Sequence, residues 1–406
     1  RAQPQDYDDW QALGIEGSGG DPARRVGPFP GNEPHPEKSG TFYYFNTNKR
    51  SIELDLASAA GKATFLHLVD RADAVVESLG PGNLDGLGIG WDAIHARRPD
   101  LPLVSISNFG LDSPYRDYLG NELTLYAFAG EMYTMGMQER EPVTMYGTAS
   151  LVESGSAAAT ATFAAILASK QQGIGQRVDY SIADSHFLGA DRRHVGTIAF
   201  EFSGRQTVRA SRANRSVLTG VYPCADGWVE FSAASTRMDR FAQMMGNPEW
   251  LQDPKWSQRA SLLNPDNVAE LEAYFFAWLS EHTKREIWEA ARGARVLCGP
   301  LFDVSEIRAD AHFSDRGFWA TATHASLGEV TIPGRPLIMP KSPWELRRPA
   351  PLLNEHEAEI RAELAANPRK ATATRTADPK LPLNGIRVID LCVVWAGPFA
   401  TMLLGD

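Results

Sequence analysis

Apolar and polar residues alternate over Ser51-Ile-Glu-Leu-Asp-Leu56, the period of a strand with one covered face. Directly after it, Phe65, Leu66, Leu68 and Val69 fall on one face of a helix predicted over residues 60–72. Ala74-Val-Val-Glu77 is a short apolar run closed by Gly80-Pro-Gly82, which predicts a buried strand ending in a turn. A helix over residues 91–97 and a strand over Leu103-Val-Ser-Ile-Ser107 continue the rhythm. Strand–helix–strand alternation predicts an α/β fold with a mainly parallel sheet and right-handed crossovers. Two more helices are expected near residues 122–135 and 154–170.

From about residue 215 the texture changes. Residues 220–232 predict a hairpin turning at Asp226-Gly227, and residues 236–292 are helical with breaks at Asn247-Pro248 and Asn264-Pro265. The expected layout is a large domain over 1–214, a smaller α+β domain over 215–335, and a return to the large domain over 336–365. A linker over 366–384, rich in Pro, Thr, Lys and Ala, follows. Residues 385–406 then read as a strand, Ile386-Arg-Val-Ile-Asp-Leu391, and an apolar helix start. Residues 1–40 are rich in Gly, Pro and charge, and Gly17-Ser-Gly-Gly-Asp-Pro-Ala-Arg-Arg25 within them reads as loop.

Composition narrows the function. The chain has 406 residues, 43% of them hydrophobic, ample for a large core. Forty basic against fifty acidic residues leave a formal charge of −10, which argues against a nucleic-acid partner. Cys224, Cys298 and Cys392 stand far apart, so neither a disulfide framework nor a Cys-rich metal motif is expected, and a reducing cytoplasm is. No run of about 18 apolar residues is visible, so no membrane span is predicted. Residues 157–168, the most apolar stretch, read as a buried helix packed through small side chains. No signal-peptide pattern is visible at the start. No dinucleotide fingerprint or P-loop occurs, because Gly173-Ile-Gly175 precedes a strand rather than a helix. No metal-ligand spacing is visible.

Four stretches carry a resemblance. They are Gly19-Gly-Asp-Pro-Ala-Arg24, Phe45-Asn-Thr-Asn-Lys-Arg-Ser-Ile-Glu-Leu-Asp-Leu56, Glu77-Ser-Leu-Gly-Pro-Gly-Asn-Leu-Asp-Gly-Leu-Gly88 and Gly173-Ile-Gly-Gln-Arg-Val-Asp179. Pro223-Cys-Ala-Asp-Gly-Trp228, Arg316-Gly317 and Pro333-Gly-Arg-Pro336 follow in the same order. This ordered set, over about residues 15–360, resembles the class III CoA-transferases, or CaiB/BaiF family. The resemblance implies a large parallel-sheet domain with a small domain, and two chains interlocked like links. Members open with a strand and an Ala-Gly-Pro helix start, whereas here that unit comes last. A tandem fusion of two halves is the favoured explanation, similar to the dimethylsulfoniopropionate CoA-transferase/lyases. Circular permutation is the alternative. The expected partner is accordingly a homo-oligomer or an intramolecular second half.

The resemblance also implies the chemistry. An aspartate attacks an acyl-CoA thioester, giving a mixed anhydride and free CoA thiolate; the thiolate returns, and an acceptor acid finally takes CoA. Such a carboxylate must be fixed, partly desolvated and beside oxyanion donors. Counting from Gly155, the position of that aspartate is Leu151, which cannot attack. Glu153 is the candidate substitute, with a helix N-terminal glutamate favoured by the macrodipole as the ordinary reading. In the racemase branch the acid–base histidine corresponds to Asn121, so that activity is poorly supported here. His186 and His194 read as structural.

For coenzyme A, treated as substrate in the form of acyl-CoA together with a small carboxylate, the resemblance nominates Arg24 for the phosphates, with loop solubility as the ordinary reading. It also nominates Leu79 and Gly80 over the adenine, and Val394, Trp395 and Ala396 as a CoA-facing turn, Trp395 being alternatively core. Lys49 beside Arg50 is a further phosphate candidate or a solvated basic pair. Gly86 and Leu119 replace two cations of the family. A catalytic half, a CoA-transferase/lyase and a non-catalytic scaffold half all remain readings of the chain.

Overall fold

The computed structural model describes residues 12–188, 193–209, 218–232, 238–258, 261–334, 336–366 and 379–405. The chain divides into two units. The first holds five parallel strands: β1 (Ala12–Glu16), β2 (Lys49–Glu53), β3 (Val75–Glu77), β4 (Leu103–Ser107) and β5 (Arg177–Ser181). β1 pairs with β2, Ala12 opposite Lys49 and Glu16 opposite Glu53. β4 lies between β3 and β5, with Leu103 opposite both Val75 and Arg177. The helices between them are α1 (Gly40–Phe45), α2 (Ala59–Val69), α3 (Asn83–Gly86), α4 (Trp91–Arg97), α5 (Glu122–Phe128), α6 (Glu131–Thr134) and α7 (Ala149–Gln172). After β5 come α8 (Ile182–Phe187) and α9 (Arg193–Ser203). The strand–helix rhythm of residues 51–107 therefore folds as its periodicity predicts. β1 falls in a stretch for which no element is predicted; five residues beside a Gly-rich turn give too short a pattern to stand out.

One core lies under β3 and β4, where Phe65 and Val69 of α2, Ile94 of α4, Leu101 and Leu103 are buried together with Leu84 and Ile89. A second covers β2: Ile52 and Leu54 pack on Ile360 of a helix reached later in the chain (Glu357–Ala365). Arg50 binds Glu359 and Glu363 of that helix at 2.9 and 2.7 Å.

The second unit comprises Gly136–Glu141 and Val208–Trp319. Its antiparallel sheet orders β6 (Thr219–Cys224), β7 (Gly227–Ser232) and β8 (Cys298–Pro300), with the expected turn around Asp226. Helices α10 (Met238–Met244), α11 (Pro265–Ser280), α12 (Lys284–Ala294), α13 (Val304–Ala309) and α14 (Ala311–Asp315) complete it. Its core is aromatic: Tyr222, Phe231, Phe241 and Phe275 meet edge-on or tilted at 5.1–5.9 Å. Burial beside this core pushes the Cys298 thiol up to about 12. At pH 8 only about one in 10⁴ such thiols is ionised, so Cys298 is expected to alkylate about 10³-fold more slowly than an unperturbed cysteine, read by peptide mass spectrometry with time.

β9 (Trp319–His324) and β10 (Gly328–Pro333) pair with each other. From Ala320 the chain belongs to the first unit, so the small unit ends at Trp319 rather than at 335. The reason is packing: Ile332 and Val330 join Phe42 and Tyr43 of α1 and Ala350 in a core of their own. The helix Glu357–Ala365 becomes α15, and α16 (Ala396–Gly405) ends the described chain. Most of the expected linker, and the expected boundary at 214, lie outside the described residues.

Two expectations need correction. Ile386–Leu391, expected as a strand, pairs with no strand among the described residues, and Ile389 and Leu391 are 87% and 90% exposed. The apolar helix at 157–168 is neither short nor mostly buried. α7 runs 24 residues and is long and apolar enough, by length and composition, to cross a bilayer, yet only 22% of its most apolar window is covered. It forms a layer of the α/β unit: Ser154, Ala158, Ala165 and Ala168 are buried, and the Ser169 hydroxyl donates to the Asp100 carbonyl at 2.6 Å. Phe163 on its other side is 62% exposed.

Candidate functional site

In an open parallel sheet, ligands bind outside the carboxyl ends of the strands. Two loops leave that edge of the β3–β4–β5 sheet, after β3 and after β4, while β5 runs directly into α8. The loop after β3 turns at Gly80, whose φ of 95° is left-handed and suits glycine. Its Leu79 N–H donates to Glu77 Oε2 at 2.7 Å, and Asn83 Nδ2 donates to the Leu79 carbonyl. Leu79 itself is half-exposed. This loop is thus fixed from below while its upper surface stays open.

The loop after β4 is pinned by β5. Both Asp179 carboxylate oxygens accept the Leu111 N–H, at 3.0 and 2.8 Å. Gly110 beside it has φ 84°, a left-handed backbone that suits glycine; a Cβ added there would stand 3.4 Å from that carboxylate, an ordinary contact. Above it Phe109, Tyr115, Tyr118 and Phe128 form an aromatic group with centroids 5.2–6.4 Å apart. Tyr118 and Phe128 are more than half exposed. Sequence reasoning missed both features; the aromatic spacing follows no strand or helix period, because a loop brings these rings together.

Asn121 opens α5. Its side chain accepts the Thr124 N–H at 3.0 Å, while Thr124 Oγ1 accepts the Asn121 N–H at 2.9 Å. This reciprocal cap occupies the side chain and leaves no acid–base role for it. The Ser150 hydroxyl donates to Glu122 Oε1 at 3.0 Å, joining the start of α7 to the start of α5. Leu151 is therefore in the first turn of α7, half-buried, and Glu153 is exposed on the next turn. Glu153 lacks the desolvation that an attacking carboxylate needs. His186 is buried edge-on against Tyr126 at 6.0 Å, as a structural histidine would be. The side chain of His194 lies outside the described residues.

The phosphate candidates are placed as follows. Arg24 is 1% exposed. Its Nε and Nη2 donate to Glu16 at 2.7 Å each, Nη1 to Glu37 at 2.8 Å, and Nη2 also to the Pro351 carbonyl at 3.2 Å. The guanidinium stacks over Phe42 at 3.7 Å. Four of its five N–H groups are thereby spent inside the protein, so Arg24 holds β1 to its neighbours in this structure. Burial raises the proton affinity of Glu16, but donors from Arg24, Ser51 and the Asp21 N–H outweigh it and hold its carboxyl below the usual range. Lys49 is partly covered; burial lowers its proton affinity, and its Nζ donates to Asn46 Oδ1 at 3.1 Å. Arg50 serves α15.

Val394, Trp395 and Ala396 lie at the turn into α16. Val394 is 74% exposed with φ 68°, and Trp395 is half-exposed. Among the described residues no group of three or more His, Cys, Asp or Glu is placed to hold a metal. A hollow of about 610 Å³ in the first unit lies between α1 and the β9–β10 pair, lined in part by Phe29, Tyr44, Phe45 and Val330, and none of the sequence candidates lines it.

Comparison with known proteins agrees with this architecture. The chain is 28% identical over 359 residues to the succinyl-CoA:(R)-benzylsuccinate CoA-transferase subunit BbsE of Thauera aromatica, covering 86% of each chain. It is 28% identical over 357 residues to the succinyl-CoA–L-malate CoA-transferase beta subunit of Chloroflexus aurantiacus, covering 85% of each. A CaiB/BaiF family protein from Brucella suis superimposes with a TM-score of 0.75 at 24% identity, covering 87% of this chain and 91% of the other. The family model described as CoA-transferase family III matches residues 13–357. The chain belongs to CoA-transferase family III.

Proposed function

We propose that this chain works in CoA transfer from an acyl-CoA to a small carboxylic acid, as one part of a two-part transferase whose other part supplies the acidic attacker. The observation that carries the reading is position 151. A half-buried leucine stands at the head of α7, where the family resemblance expects the aspartate, and the adjacent acid Glu153 is solvated. A thioester carbon needs a nucleophile held against it, and neither side chain meets that need. That two relatives bear subunit names supports a divided enzyme. Val152, exposed near the start of α7, supports a second body over that end of the helix, either a copy of this chain or a second half. The racemase alternative lacks a base, since Asn121 is a helix cap. Free thiols at Cys224, Cys298 and Cys392 support a cytoplasmic setting.

The acyl-CoA would lie over the carboxyl edge of β3 and β4. Leu79 and Gly80 offer an open backbone surface there, and the rings of Tyr115, Tyr118 and Phe128 offer π-faces to a planar base. The test uses the purified 406-residue chain, succinyl-CoA as donor and a panel of short carboxylic acids. Calorimetry is expected to detect CoA binding. Transfer by the chain alone is expected to stay at background, with Glu153→Gln indistinguishable from the parent. Sustained transfer by the parent, lost in Glu153→Gln, would overturn the divided-site reading; absence of CoA binding would overturn the CoA role itself.

A further inference from the structure

Among the described residues, the two parallel sheets of the first unit match the two sides of one sheet that lacks a strand between them. The doubly wound order is 3-2-1-4-5-6. β2-β1 and β3-β4-β5 reproduce it when β1 counts as second, β2 as third and β3 to β5 as fourth to sixth; among the described residues only the first strand has no counterpart paired in place. The two sheets already share a core, since Ile15 of β1 and Val75 of β3 both pack on the cluster of Phe65, Leu84 and Leu103. The inner edges are also the barer ones. Val76, in the middle of β3, is 53% exposed, whereas Val104 opposite it in β4 is fully buried. β1 has one buried residue of five, while β2 behind it has three. An edge of open N–H and C=O groups flanked by a shared core is a place for a strand.

The same chain carries an unpaired segment of the right kind. Ile386-Arg-Val-Ile-Asp-Leu391 has the apolar, β-branched run of a central parallel strand, yet it stands exposed. It is already joined to its helix: Asp390 accepts the Cys392 N–H at 2.6 Å and the Thr401 hydroxyl of α16. The segment is also anchored at the correct edge. Lys380 and the Gln172 side chain exchange two hydrogen bonds, at 2.8 and 2.9 Å. Gln172 ends α7, and residues 173–176 lead from it into the amino end of β5. A strand parallel to β1 and β3 must enter from that end. From β5 to the slot is three strand spacings, about 14 Å. The five residues from Lys380 to Gly385, extended, reach about 17 Å.

The geometry points to Ile386–Leu391 of the same chain as the strand that fills the slot between β1 and β3, α16 moving with it as one body. Filling the slot covers Val76 and Ile389 together. It also carries Val394 and Trp395 to the carboxyl edge beside Leu79 and Gly80, at the point where the strand order reverses. This goes beyond the CoA reading and does not depend on it.

Hydrogen exchange on the unmodified 406-residue chain tests it. The amides of residues 386–391, with those of β1 and β3, are expected to exchange about 10³-fold or more slowly than unstructured peptide. Exchange of 386–391 at the free-peptide rate overturns the proposal. Chain identity is read by oxidising Val76→Cys with Val388→Cys or Ile389→Cys in a mixture of isotopically light and heavy protein. Cross-links within single-label chains support insertion from the same chain; mixed-label cross-links overturn it in favour of exchange between copies. Neither readout involves CoA, so failure here leaves the CoA reading standing, and failure to bind CoA leaves the strand standing.

Discussion

Arg24→Ala is expected to lower the unfolding free energy by about 3–5 kcal/mol, because it strands the Glu16 carboxylate in a site that is 6% exposed. The stack over Phe42 is lost with it. For a chain of this size the melting temperature falls on the order of 10 °C. A phosphate contact would behave differently: the fold would be nearly as stable, and CoA affinity would drop about tenfold, the effect of roughly 1.4 kcal/mol. Calorimetry and CoA titration on the same variant separate the two roles. A melting point within 2 °C of the parent, roughly what 1 kcal/mol or less produces, would sink the structural assignment. The acid limb of stability is a second reading of the same pair. Glu16 keeps its charge to lower pH in the folded chain than in the unfolded one. Its contribution is thus complete above the unfolded carboxylate value of about 4.3 and is lost as pH falls through the lower folded value. Arg24→Ala is expected to flatten that limb, since without the guanidinium only Ser51 and the Asp21 N–H oppose the effect of burial on the carboxyl.

Arg24 also shows where sequence reasoning stops. Gly19-Gly-Asp-Pro-Ala-Arg24 marked the loop correctly, but a local pattern does not say whether a guanidinium points out to an anion or back to a glutamate eight residues earlier and a carbonyl at Pro351. The strands at β4 and β7 and the helix at α4 were legible because their own periodicity decides them. β1 was not, being five residues whose stability comes from pairing with β2 thirty-seven positions away. The opposite case is Ile386–Leu391, where strand propensity is plain but a strand needs a partner, and none is paired to it among the described residues. Likewise the length of α7 follows from composition, whereas its bare side depends on what covers it. Of the site, the Gly80 turn was legible from glycine and proline alone; the aromatic group over β4 and the Asp179 clasp on Leu111 arise from tertiary contact and left no periodic trace.

Leu151→Asp is expected to give the chain the attack it lacks. The position is the third residue of α7, where an acid gains about 0.3–1 kcal/mol from the helix N-terminus, offsetting much of the lost leucine packing. The variant should therefore fold. Its neighbour Ser150 is held by Glu122, so the first turn of α7 is fixed at the start of α5, beside the loops that leave the carboxyl edge. A carboxylate placed there would attack the thioester carbon, expel CoA thiolate and become an anhydride, which the thiolate can reopen to leave CoA on the enzyme. Removing a covalent nucleophile costs up to about 10⁶-fold in a well-measured hydrolase, so a restored one, imperfectly aligned, is set here at about 10²-fold faster thiol release than the parent. The decisive readout is mass: the peptide spanning position 151 gains CoA or acyl in the variant and not in the parent. If the parent already labels at Glu153, the longer acid is the attacker and the site is complete within this chain. If the variant folds, binds CoA and never labels, the head of α7 is not where the thioester lies, and the match between position 151 and the family's aspartate falls with it.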